Sequence, residues 1–380
     1  MHVTQIVAHP PFREGTGTVC YFNAYALQQA GCDVRVYATR YGNVNAGGVP
    51  LDFYTFMPSW LSIGNAYLTP AIMGLEKTDI IHLHYPFIFG SELAVIKARQ
   101  MRVPIVLTYH NDLIGGGIRR PAFWLYNRLN APAILAHMRK IVVTSFDYAA
   151  TSIYADTIFS KRKTDLVEVG NGVDVDSFHP DVKSDFIRLR HAIGETELFL
   201  LFVSSLDRSH ARKGLGMLIE TLASLRDPAI RLVVVGGGDM RPSYEEQVRS
   251  LGLGARVIFA GRVPQDELPA YYAACDIVVI PSRPPEAFGV SLAQGMSAGK
   301  PVIGSNIPGV RTLVHNGEQG FLVPVGDTKT LAERIGTLAG DATLRARMGM
   351  AGRERITEHF TWKVAGEKLL GMYQEVLRIQ

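Results

Sequence analysis

Short apolar runs recur along the chain and alternate with longer stretches whose apolar residues follow helical spacing. Runs that are apolar almost throughout are typical of strands buried on both faces, as in a parallel sheet whose crossover connections are helices. We therefore predict the α/β class, with two successive doubly wound units. The predicted strands lie at 2–8, 33–38, 80–84, 105–109 and 141–144 in the first half, and at 198–203, 231–235, 257–259, 277–280 and 302–303 in the second.

A polar segment at 178–195, which includes His179 and Pro180, separates the two sets of strands. A chain of 380 residues is too long for one ordinary core, so two domains are expected. The stretch 362–379 has apolar residues at helical spacing and predicts a long amphipathic helix. That helix either closes the second domain or packs back on the first, and the pattern leaves both possibilities open.

Composition narrows the class of protein. The chain is 47% hydrophobic and 19% charged with 37 glycines, which favours a globular α/β protein over disorder. The net charge of +4 permits affinity for phosphates or an anionic membrane, and it is too small to indicate a nucleic-acid partner. Three scattered cysteines provide neither a disulfide framework nor a metal-ligand cluster. With no leader pattern and no long apolar run, we expect a cytoplasmic protein.

The stretch 281–304 carries the strongest chemical signal. It predicts a loop with one acid, Glu286, followed by a helix that starts at Phe288-Gly289-Val290. The first-turn amides of a helix lack intrahelical partners and lie at the positive end of its dipole, so they suit an anion or a sugar oxygen. Ligands of parallel α/β sheets bind at the carboxyl ends of strands, where this loop lies. We therefore expect an anionic ligand with a hydroxylated part.

A second loop is rich in cations. Lys213-Gly214 follows the predicted strand 198–203 and comes after Arg208, His210 and Arg212. A lysine at the end of a strand can neutralise a diphosphate. A solvated basic surface is the alternative interpretation of the same loop.

Together these segments resemble the retaining glycosyltransferases of the GT-B fold, family 4 in particular. The family's signature is an acid, Phe-Gly, and a second acid eight positions after the first. Here the first acid is Glu286, but the second position is Gln294. A glutamine can accept from one ribose hydroxyl and donate to the other, at the loss of a charge-assisted hydrogen bond. Altered nucleotide preference is therefore the expected consequence.

The resemblance extends from Gly15 to the closing helix and implies a fold. The expected architecture is GT-B, with two Rossmann-like domains facing a central cleft. The acceptor-side domain would comprise 1–180 plus the crossover helix 362–380, and the nucleotide-sugar domain 181–361.

The resemblance also implies donor contacts. Lys213 matches the family's diphosphate-binding lysine, but its usual arginine position reads Ser204-Ser205. We expect Arg208 to substitute, with Arg212 as the alternative. Gly15 and Gly17 match a glycine loop between the first strand and helix, although glycine-rich turns are also common for conformational reasons alone. The remaining expected donor contacts are Gly237, Val263, Phe288, Gly289 and Val290.

Histidines of the first half give a further set of candidates. His110 matches the family's Thr-x-His-x-Asp element, so we expect a catalytic role near the transferred sugar, where a histidine can donate a hydrogen bond and change charge near neutral pH. Asp112 is then an acceptor-side contact. His82 and His84 alternate on one strand and face one side, as buried, hydrogen-bonded histidines commonly do. The segment Gly170–Asp174 resembles the family's hinge motif, for which we expect a structural role.

The segment 113–140 contains arginines and aromatic residues but no acid. Such a surface suits an anionic membrane, which would favour a lipid-linked acceptor and a peripheral membrane location. The competing interpretation is a helix whose aromatic residues face the core while its arginines are solvated.

The resemblance implies a retaining, metal-independent hexosyltransferase that uses a nucleotide diphosphate sugar as donor and a glycan or lipid-linked acceptor. His110, Glu286 and Lys213 would carry the reaction, and neither a cofactor nor a metal ion would be needed. A sugar-nucleotide epimerase of similar fold and a sugar-nucleotide-binding protein with weakened catalysis are the alternatives.

Overall fold

The computed structural model describes residues 1–11, 15–40, 50–63, 66–114 and 120–378. The chain divides into two compact units. The first unit consists of Met1–Gly172 with Trp362–Gln380, and the second unit is Val173–Thr361. The division therefore falls ahead of the polar segment at 178–195.

The strands among the described residues are β1 (His2–Val7), β2 (Asp33–Thr39), β3 (Tyr54–Met57), β4 (Leu61–Ile63), β5 (Ala66–Leu68), β6 (Ile80–Tyr85), β7 (Ile105–Tyr109), β8 (Ile141–Val143), β9 (Leu166–Glu168), β10 (Leu198–Val203), β11 (Ile230–Val235), β12 (Val257–Gly261), β13 (Ile277–Ile280), β14 (Val302–Ser305) and β15 (Gly320–Val323).

The α-helices are α1 (Gly15–Gln29), α2 (Gly90–Met101), α3 (Arg120–His137), α4 (Phe146–Ala149), α5 (Asp185–Arg190), α6 (Leu215–Ser224), α7 (Arg241–Ser250), α8 (Leu268–Ala274), α9 (Val290–Ser297), α10 (Val310–Leu313), α11 (Thr328–Gly340), α12 (Ala342–His359) and α13 (Trp362–Arg378). Short 3-10 helices occur at Pro70–Gly74, Phe159–Lys161, Lys163–Asp165 and Arg208–Lys213.

The first unit is built on a parallel sheet. Its strand order is β3-β2-β1-β6-β7-β8-β9, and β4 and β5 form a separate antiparallel pair. Apolar side chains fill both faces of the sheet, as parallel strands with helices on both sides require. Leu369 and Tyr373 of α13 are buried in the cluster that includes Ala24 and Leu27 of α1. The last helix therefore packs on the first unit.

The second unit contains a six-stranded parallel sheet in the order β12-β11-β10-β13-β14-β15. Strands β10, β11 and β12 extend in one direction from the centre, and β13, β14 and β15 in the other. The strand order therefore reverses between β10 and β13, where Leu200 pairs with Ile277. Such a switch point is where open α/β sheets bind ligands, beyond the carboxyl ends of the strands.

The apolar pattern locates all ten predicted strands, and the α/β class with parallel sheets in two Rossmann-like domains is confirmed. Among the strands of the described residues, the pattern missed five: β3, β4, β5, β9 and β15. Among the helices that the structure describes, none combines the length and apolarity needed to span a bilayer.

Candidate active site

An ion pair occupies the switch point of the second unit. Lys213 ends the 3-10 helix that follows β10, and Glu286 lies in the loop after β13. Lys213 Nζ is 2.5 Å from Glu286 Oε2, and the two side chains are 16% and 10% exposed. The two side chains belong to loops that are far apart in sequence, and they meet because β10 and β13 are neighbours in the sheet.

Gly214 allows the loop that contains Lys213 to approach the loop that contains Glu286. Its φ of +87° lies in the left-handed region, and a Cβ built on it would lie 2.2 Å from the carbonyl oxygen of Pro281. The backbone amide of Arg283 also donates to the carbonyl oxygen of Arg212 at 2.7 Å. A residue with a side chain at position 214 would therefore push the two loops apart.

The acidic loop is packed from its other side as well. Gly309, at φ +85°, is so close that a Cβ would lie 2.4 Å from the carbonyl oxygen of Glu286. Ser282 Oγ lies 3.4 Å from Glu286 Oε2 and contributes a second polar neighbour. Glu286 is thus held by backbone packing as well as by Lys213.

The two candidate arginines differ in their contacts. Arg212 donates from Nε to the carbonyl oxygen of Pro285 at 3.0 Å and from Nη1 to that of Ser209 at 2.6 Å, so its guanidinium group braces the two loops. The Arg208 side chain is exposed, and its backbone amide donates to Asp239 Oδ1 at 2.8 Å. Arg208 is therefore the more available of the two for a ligand.

Helix α9 begins at Val290, two positions after the predicted start at Phe288. Gly289 precedes the helix at φ +90°, a conformation that favours glycine, and Ala293 N donates to Gly289 O in the first intrahelical bond. Phe288 is buried with its ring centroid 5.5 Å from that of Phe360. The first-turn amides are therefore those of 290–292, and the Phe288 side chain belongs to the core.

Ser291 is a positioning residue that the sequence did not reveal. Its hydroxyl donates to the carbonyl oxygen of Val203 at 2.9 Å, which ties the first turn of α9 to the end of β10. A small hydroxylated residue in a helix gives no sequence signal for such a long-range bond.

Gln294 lies one turn further along α9 and is half-buried. The hydroxyl of Tyr272, on α8, donates to Gln294 Oε1 at 2.9 Å. Burial raises the pKa of Tyr272 well above its usual range, so this phenol is a neutral donor. The carbonyl oxygen of Gln294 is thus already engaged within the protein.

The glycine turn after β11 packs tightly against the loop after β10. A Cβ on Gly236 would lie 1.8 Å from Ser204 O, and one on Gly238 would lie 2.3 Å from Asp207 N. Gly237 has more space, since its nearest neighbour would be the Arg262 side chain at 3.0 Å. The turn thus needs glycine for backbone packing, and Gly237, with the half-buried Val263, stays a predicted donor contact.

The prediction that Gly15 and Gly17 lie in a loop between the first strand and the first helix is wrong. Both lie in the first turn of α1, and 12–14 lie outside the described residues. A Cβ on Gly17 would lie 2.2 Å from Pro10 O, so the helix approaches the backbone after β1 too closely for a side chain. Close packing therefore explains Gly17, and a donor contact by either glycine stays a prediction.

His110 directly follows β7 and is 7% exposed. Its Nε2 is 2.9 Å from Nδ1 of His84, and the rings of His82 and His84 stack with centroids 4.8 Å apart. The expectation that His82 and His84 are buried on one face is confirmed. Burial lowers the pKa of His110 to about 4, so the expectation of a charge change near neutral pH is wrong.

Two predicted acids make contacts within the protein. Asp112 Oδ1 accepts from the hydroxyl groups of Tyr109 and Ser152 and from the amide of Ile153. Asp174 accepts from the backbone amides of the two residues that end its own turn, at 3.0 and 3.2 Å. Asp174 therefore has the structural role expected of it, and an acceptor contact by Asp112 stays a prediction.

Helix α3 exposes large apolar side chains. Trp124 is 65% and Leu129 59% exposed, and Leu125 of the same helix is exposed too. Ile114, which precedes the helix in sequence, is also exposed. Arg128 lies on the same exposed surface. The competing interpretation, in which the aromatic residues face the core, therefore fails for Trp124. Part of the predicted segment, 115–119, lies outside the described residues.

The three cysteines are free and buried. Within the described ranges, no group of three or more His, Cys, Asp or Glu side chains could hold a metal ion.

Two family comparisons together match most of the chain. Residues 183–355 match the family described as Glycosyl transferases group 1, and residues 13–177 match Glycosyltransferase Family 4. Both matches describe glycosyltransferases, and the epimerase alternative receives no support from them.

Individual proteins agree with these matches. Sulfoquinovosyl transferase SQD2 of Arabidopsis thaliana is 28% identical over 86% of this chain and 62% of its own length. A GDP-mannose-dependent alpha-(1-6)-phosphatidylinositol monomannoside mannosyltransferase of Mycolicibacterium smegmatis is 31% identical over 52% of this chain and 53% of its own. The matches thus span between about half and two thirds of these relatives' lengths.

A solved structure shares the fold. Sucrose-phosphate synthase from Thermosynechococcus elongatus has a TM-score of 0.80 and 22% identity, with all of both chains covered. At this identity the likeness shows the fold alone. With two parallel sheets, the family matches to both halves and this shared fold, the chain belongs to the group 1 glycosyltransferases of the GT-B fold, family 4.

Proposed function

We propose that this glycosyltransferase moves a sugar from a nucleoside diphosphate sugar to a hydroxyl group of a lipid-linked or glycan acceptor, with retention and without a metal ion. The Lys213–Glu286 ion pair at the switch point between β10 and β13 carries the proposal. It offers a cation for a diphosphate and a carboxylate for sugar hydroxyls within 2.5 Å of each other.

The cation acts on the leaving group. When the bond between the anomeric carbon and the diphosphate oxygen breaks, negative charge accumulates on the diphosphate and must be stabilised. Lys213 supplies that stabilisation, with the exposed Arg208 as a second cation. These protein cations take the place of a metal ion. The diphosphate replaces Glu286 as the partner of Lys213, so the ion pair separates when the donor binds.

The carboxylate acts on the sugar. Once released from Lys213, Glu286 accepts hydrogen bonds from sugar hydroxyls. The first-turn amides of Val290 and Ser291, at the positive end of the α9 dipole, donate to an oxygen of the sugar or the phosphate. Gln294 contacts the ribose. Because Tyr272 already donates to Oε1, the Nε2 group of Gln294 is the part that remains to donate to a ribose oxygen.

Retention is part of the proposal, and the resemblance of the Glu286–Gln294 segment to retaining enzymes supports it. The acceptor oxygen bonds to the anomeric carbon on the face from which the diphosphate departs, and its proton passes to the departing diphosphate oxygen. The new bond then has the anomeric configuration of the old one. His110 forms a hydrogen bond with a hydroxyl group of the sugar. Nuclear magnetic resonance of the product, compared with that of the donor, tests the configuration.

The acceptor is proposed to be attached to a lipid. The M. smegmatis relative is named for a phosphatidylinositol monomannoside acceptor. In this chain, the α3 surface of Trp124, Leu125, Leu129 and Arg128 combines apolar side chains with a cation. Such a surface suits peripheral binding to an anionic membrane, where a lipid-linked acceptor would be found.

A thermal-shift panel of uridine and guanosine diphosphate sugars tests the donor class. A ligand at about 100 times its dissociation constant adds about 2.7 kcal/mol of stability, which raises the melting temperature measurably. We expect one sugar nucleotide to give this shift and to be hydrolysed slowly to the free sugar and nucleoside diphosphate. No shift with any sugar nucleotide would contradict the proposal, and a shift without turnover would favour a binding protein.

A further inference from the structure

Three histidine rings form a buried row in the first unit. His82 and His84 lie on β6, and His110 follows the neighbouring strand β7. The ring centroids of His84 and His110 are 5.2 Å apart with an interplanar angle of 17°, and those of His82 and His84 stack similarly. The row ends with His110, at the carboxyl edge of the sheet. The hydrogen-bond partners of these rings determine which ring nitrogen of each histidine carries a hydrogen.

Gln5 on β1 determines where the hydrogen of His84 lies. The side-chain oxygen of Gln5 accepts from the Cys20 thiol at 3.2 Å and is 3.2 Å from Nε2 of His84. A carbonyl oxygen only accepts hydrogen bonds. In this orientation of the Gln5 amide, Nε2 of His84 carries a hydrogen and donates it to Gln5.

The hydrogen on His84 then determines the hydrogen on His110. Burial lowers the pKa of His84 well below its usual range and that of His110 to about 4, so both rings are neutral at pH 7. A neutral imidazole carries one N–H and one bare nitrogen. With its hydrogen on Nε2, His84 has a bare Nδ1, which lies 2.9 Å from Nε2 of His110. That contact is a hydrogen bond only if His110 donates from Nε2.

His82 has a separate set of partners. Its Nδ1 is 2.5 Å from the hydroxyl of Tyr373, and its Nε2 is 2.7 Å from Thr108 Oγ1. The His82 ring stacks on the His84 ring. Both nitrogens of His82 contact Tyr373 and Thr108, so neither of them is hydrogen-bonded to His84. Gln5 and His84, and not His82, therefore determine which ring nitrogen of His110 carries the hydrogen.

We propose that Gln5 and His84 are positioning residues that fix His110 as the Nε2–H tautomer, so that His110 presents a bare Nδ1 to the ligand. Among the described residues, no hydrogen bond to this nitrogen is found, and it remains for the substrate. A bare imidazole nitrogen accepts from a hydroxyl group and repels a phosphate or carboxylate oxygen. The inference rests on the proposed function in one respect, that the ligand at His110 is a sugar or acceptor hydroxyl.

The tautomer can be measured directly and without substrate. Long-range proton–nitrogen correlation spectra of the full chain labelled with nitrogen-15 histidine distinguish protonated from bare ring nitrogens. Signals of His110 and His84 are identified by their loss in His110→Gln and His84→Gln. We expect both residues to carry the hydrogen on Nε2 at pH 7. A hydrogen on Nδ1 of His110 would overturn the proposal, because the Gln5 amide would then have to be reversed.

A pair of variants separates positioning from packing. Gln5→Leu removes the acceptor. Cys20→Ala removes the thiol that donates to the same oxygen, together with its contact to Tyr54, and serves as the matched control because it leaves the acceptor in place. We expect Gln5→Leu to give a mixture of His110 tautomers and to lower kcat/KM about tenfold, the effect of one misdirected hydrogen bond. Cys20→Ala should keep the single tautomer and the activity.

The outcomes distinguish this inference from the proposed function. An unchanged Nε2–H tautomer of His110 in Gln5→Leu would contradict the role of Gln5. If no sugar transfer is observed but the spectra follow the expected pattern, the proposed function fails while the positioning of His110 stands. The wild-type spectrum decides the tautomer even if Gln5→Leu does not fold.

Discussion

At the scale of single residues, the ion pair of Lys213 and Glu286 links stability to binding. Removing one partner of a buried pair typically costs about 3–5 kcal/mol, because the remaining charge has lost its compensation. In the proposed reaction, a diphosphate that binds Lys213 leaves Glu286 free to accept from sugar hydroxyls, so the donor provides a partner for each charge. In that reaction the ion pair holds both side chains in position until a donor binds.

Gln294→Glu is expected to keep donor affinity or to tighten it by up to about tenfold. The Tyr272 hydroxyl can donate to a carboxylate as it does to the amide oxygen, and a carboxylate makes the stronger, charge-assisted bond to a ribose hydroxyl. Gln294→Leu, which can make neither bond, should bind more weakly. Titration calorimetry with the donor found in the thermal-shift panel measures both. A large loss of affinity in Gln294→Glu would contradict the ribose assignment.

Single residues also show where prediction from sequence ends. Lys213 and Glu286 could be named as candidates because each follows a strand and lies near a characteristic glycine or Phe-Gly. Their contact spans 73 positions and depends on the order of the strands in the sheet. Tyr272 as the partner of Gln294 and the bracing role of Arg212 depend equally on long-range packing, for which local sequence contains no signal.

At the scale of elements, the central strands were predicted well because they are buried on both faces and therefore read as continuous apolar runs. The missed strands are short or lie toward sheet edges, where partial burial weakens the pattern. β3 and β9 lie at the two edges of the first sheet, and β15 at one edge of the second. The start of α9 was misplaced because Gly289 adopts a left-handed conformation that delays the helix.

Gly214→Ala should destabilise the second unit and reduce donor binding. The left-handed backbone at this position costs about 1–3 kcal/mol for a residue with a side chain, and the new Cβ would meet the Pro281 carbonyl. Gly336→Ala in α11 is the matched control, because no atom lies within 4 Å of its built Cβ. It should stabilise by up to about 1 kcal/mol. Urea unfolding measures both, and equal stability of the two variants would contradict the loop contact.

The buried histidines His82, His84 and His110, on β6 and directly after β7, should make the protein less stable as the pH falls. Their pKa values are lowered by burial, to about 3 for His82 and about 4 for His110, so between those values and about 6.5 the unfolded chain binds more protons than the folded one. Stability is therefore fully present above about pH 6.5 and is lost progressively below it.

Urea unfolding at several pH values between about 7 and 5 measures this slope. His82→Gln should flatten it, because the glutamine binds no proton in either state. His315→Gln, which changes an exposed histidine of the second unit, is the control and should leave the contribution of β6 and β7 intact. A stability that does not fall below pH 6.5 in the wild type would contradict the burial argument.

At the scale of the whole molecule, the chain reads as two doubly wound units, each with its own core. The return of the last helix to the first unit could not be decided from its amphipathic pattern, because such a helix can pack on either sheet. The structure resolves it through the burial of Leu369 and Tyr373 beside α1. Surface function is harder to predict, since exposure of Trp124 depends on how α3 packs.

Anionic vesicles should bind the full chain through α3. Burying a leucine side chain is worth about 1.5–3 kcal/mol, so Leu129→Ser is expected to weaken vesicle binding by about tenfold or more. Leu189→Ser is the matched control, because Leu189 is 81% exposed on α5 of the second unit. Vesicle sedimentation measures both. Equal loss in the two variants, or binding that neutral vesicles support equally well, would contradict the proposed surface.

Catalysis by Lys213 and Glu286 predicts that sugar transfer needs the two charged side chains but no metal ion. Measuring turnover with a chelator and without the two charges tests this prediction. Release of nucleoside diphosphate from the bound sugar nucleotide is followed with excess chelator, in the wild type, in Lys213→Met/Glu286→Gln, and in the control Lys183→Met, which changes an exposed lysine of the same unit. The double variant removes both charges together, so neither is left uncompensated in the fold.

We predict turnover by the wild type in chelator, unchanged turnover by Lys183→Met, and a loss of about 10²–10³ in kcat for the double variant, as expected when transition-state charge stabilisation is removed. The product should keep the anomeric configuration of the donor. Full activity of the folded double variant, or turnover that requires an added metal ion, would contradict the assignment of catalysis to the Lys213–Glu286 pair.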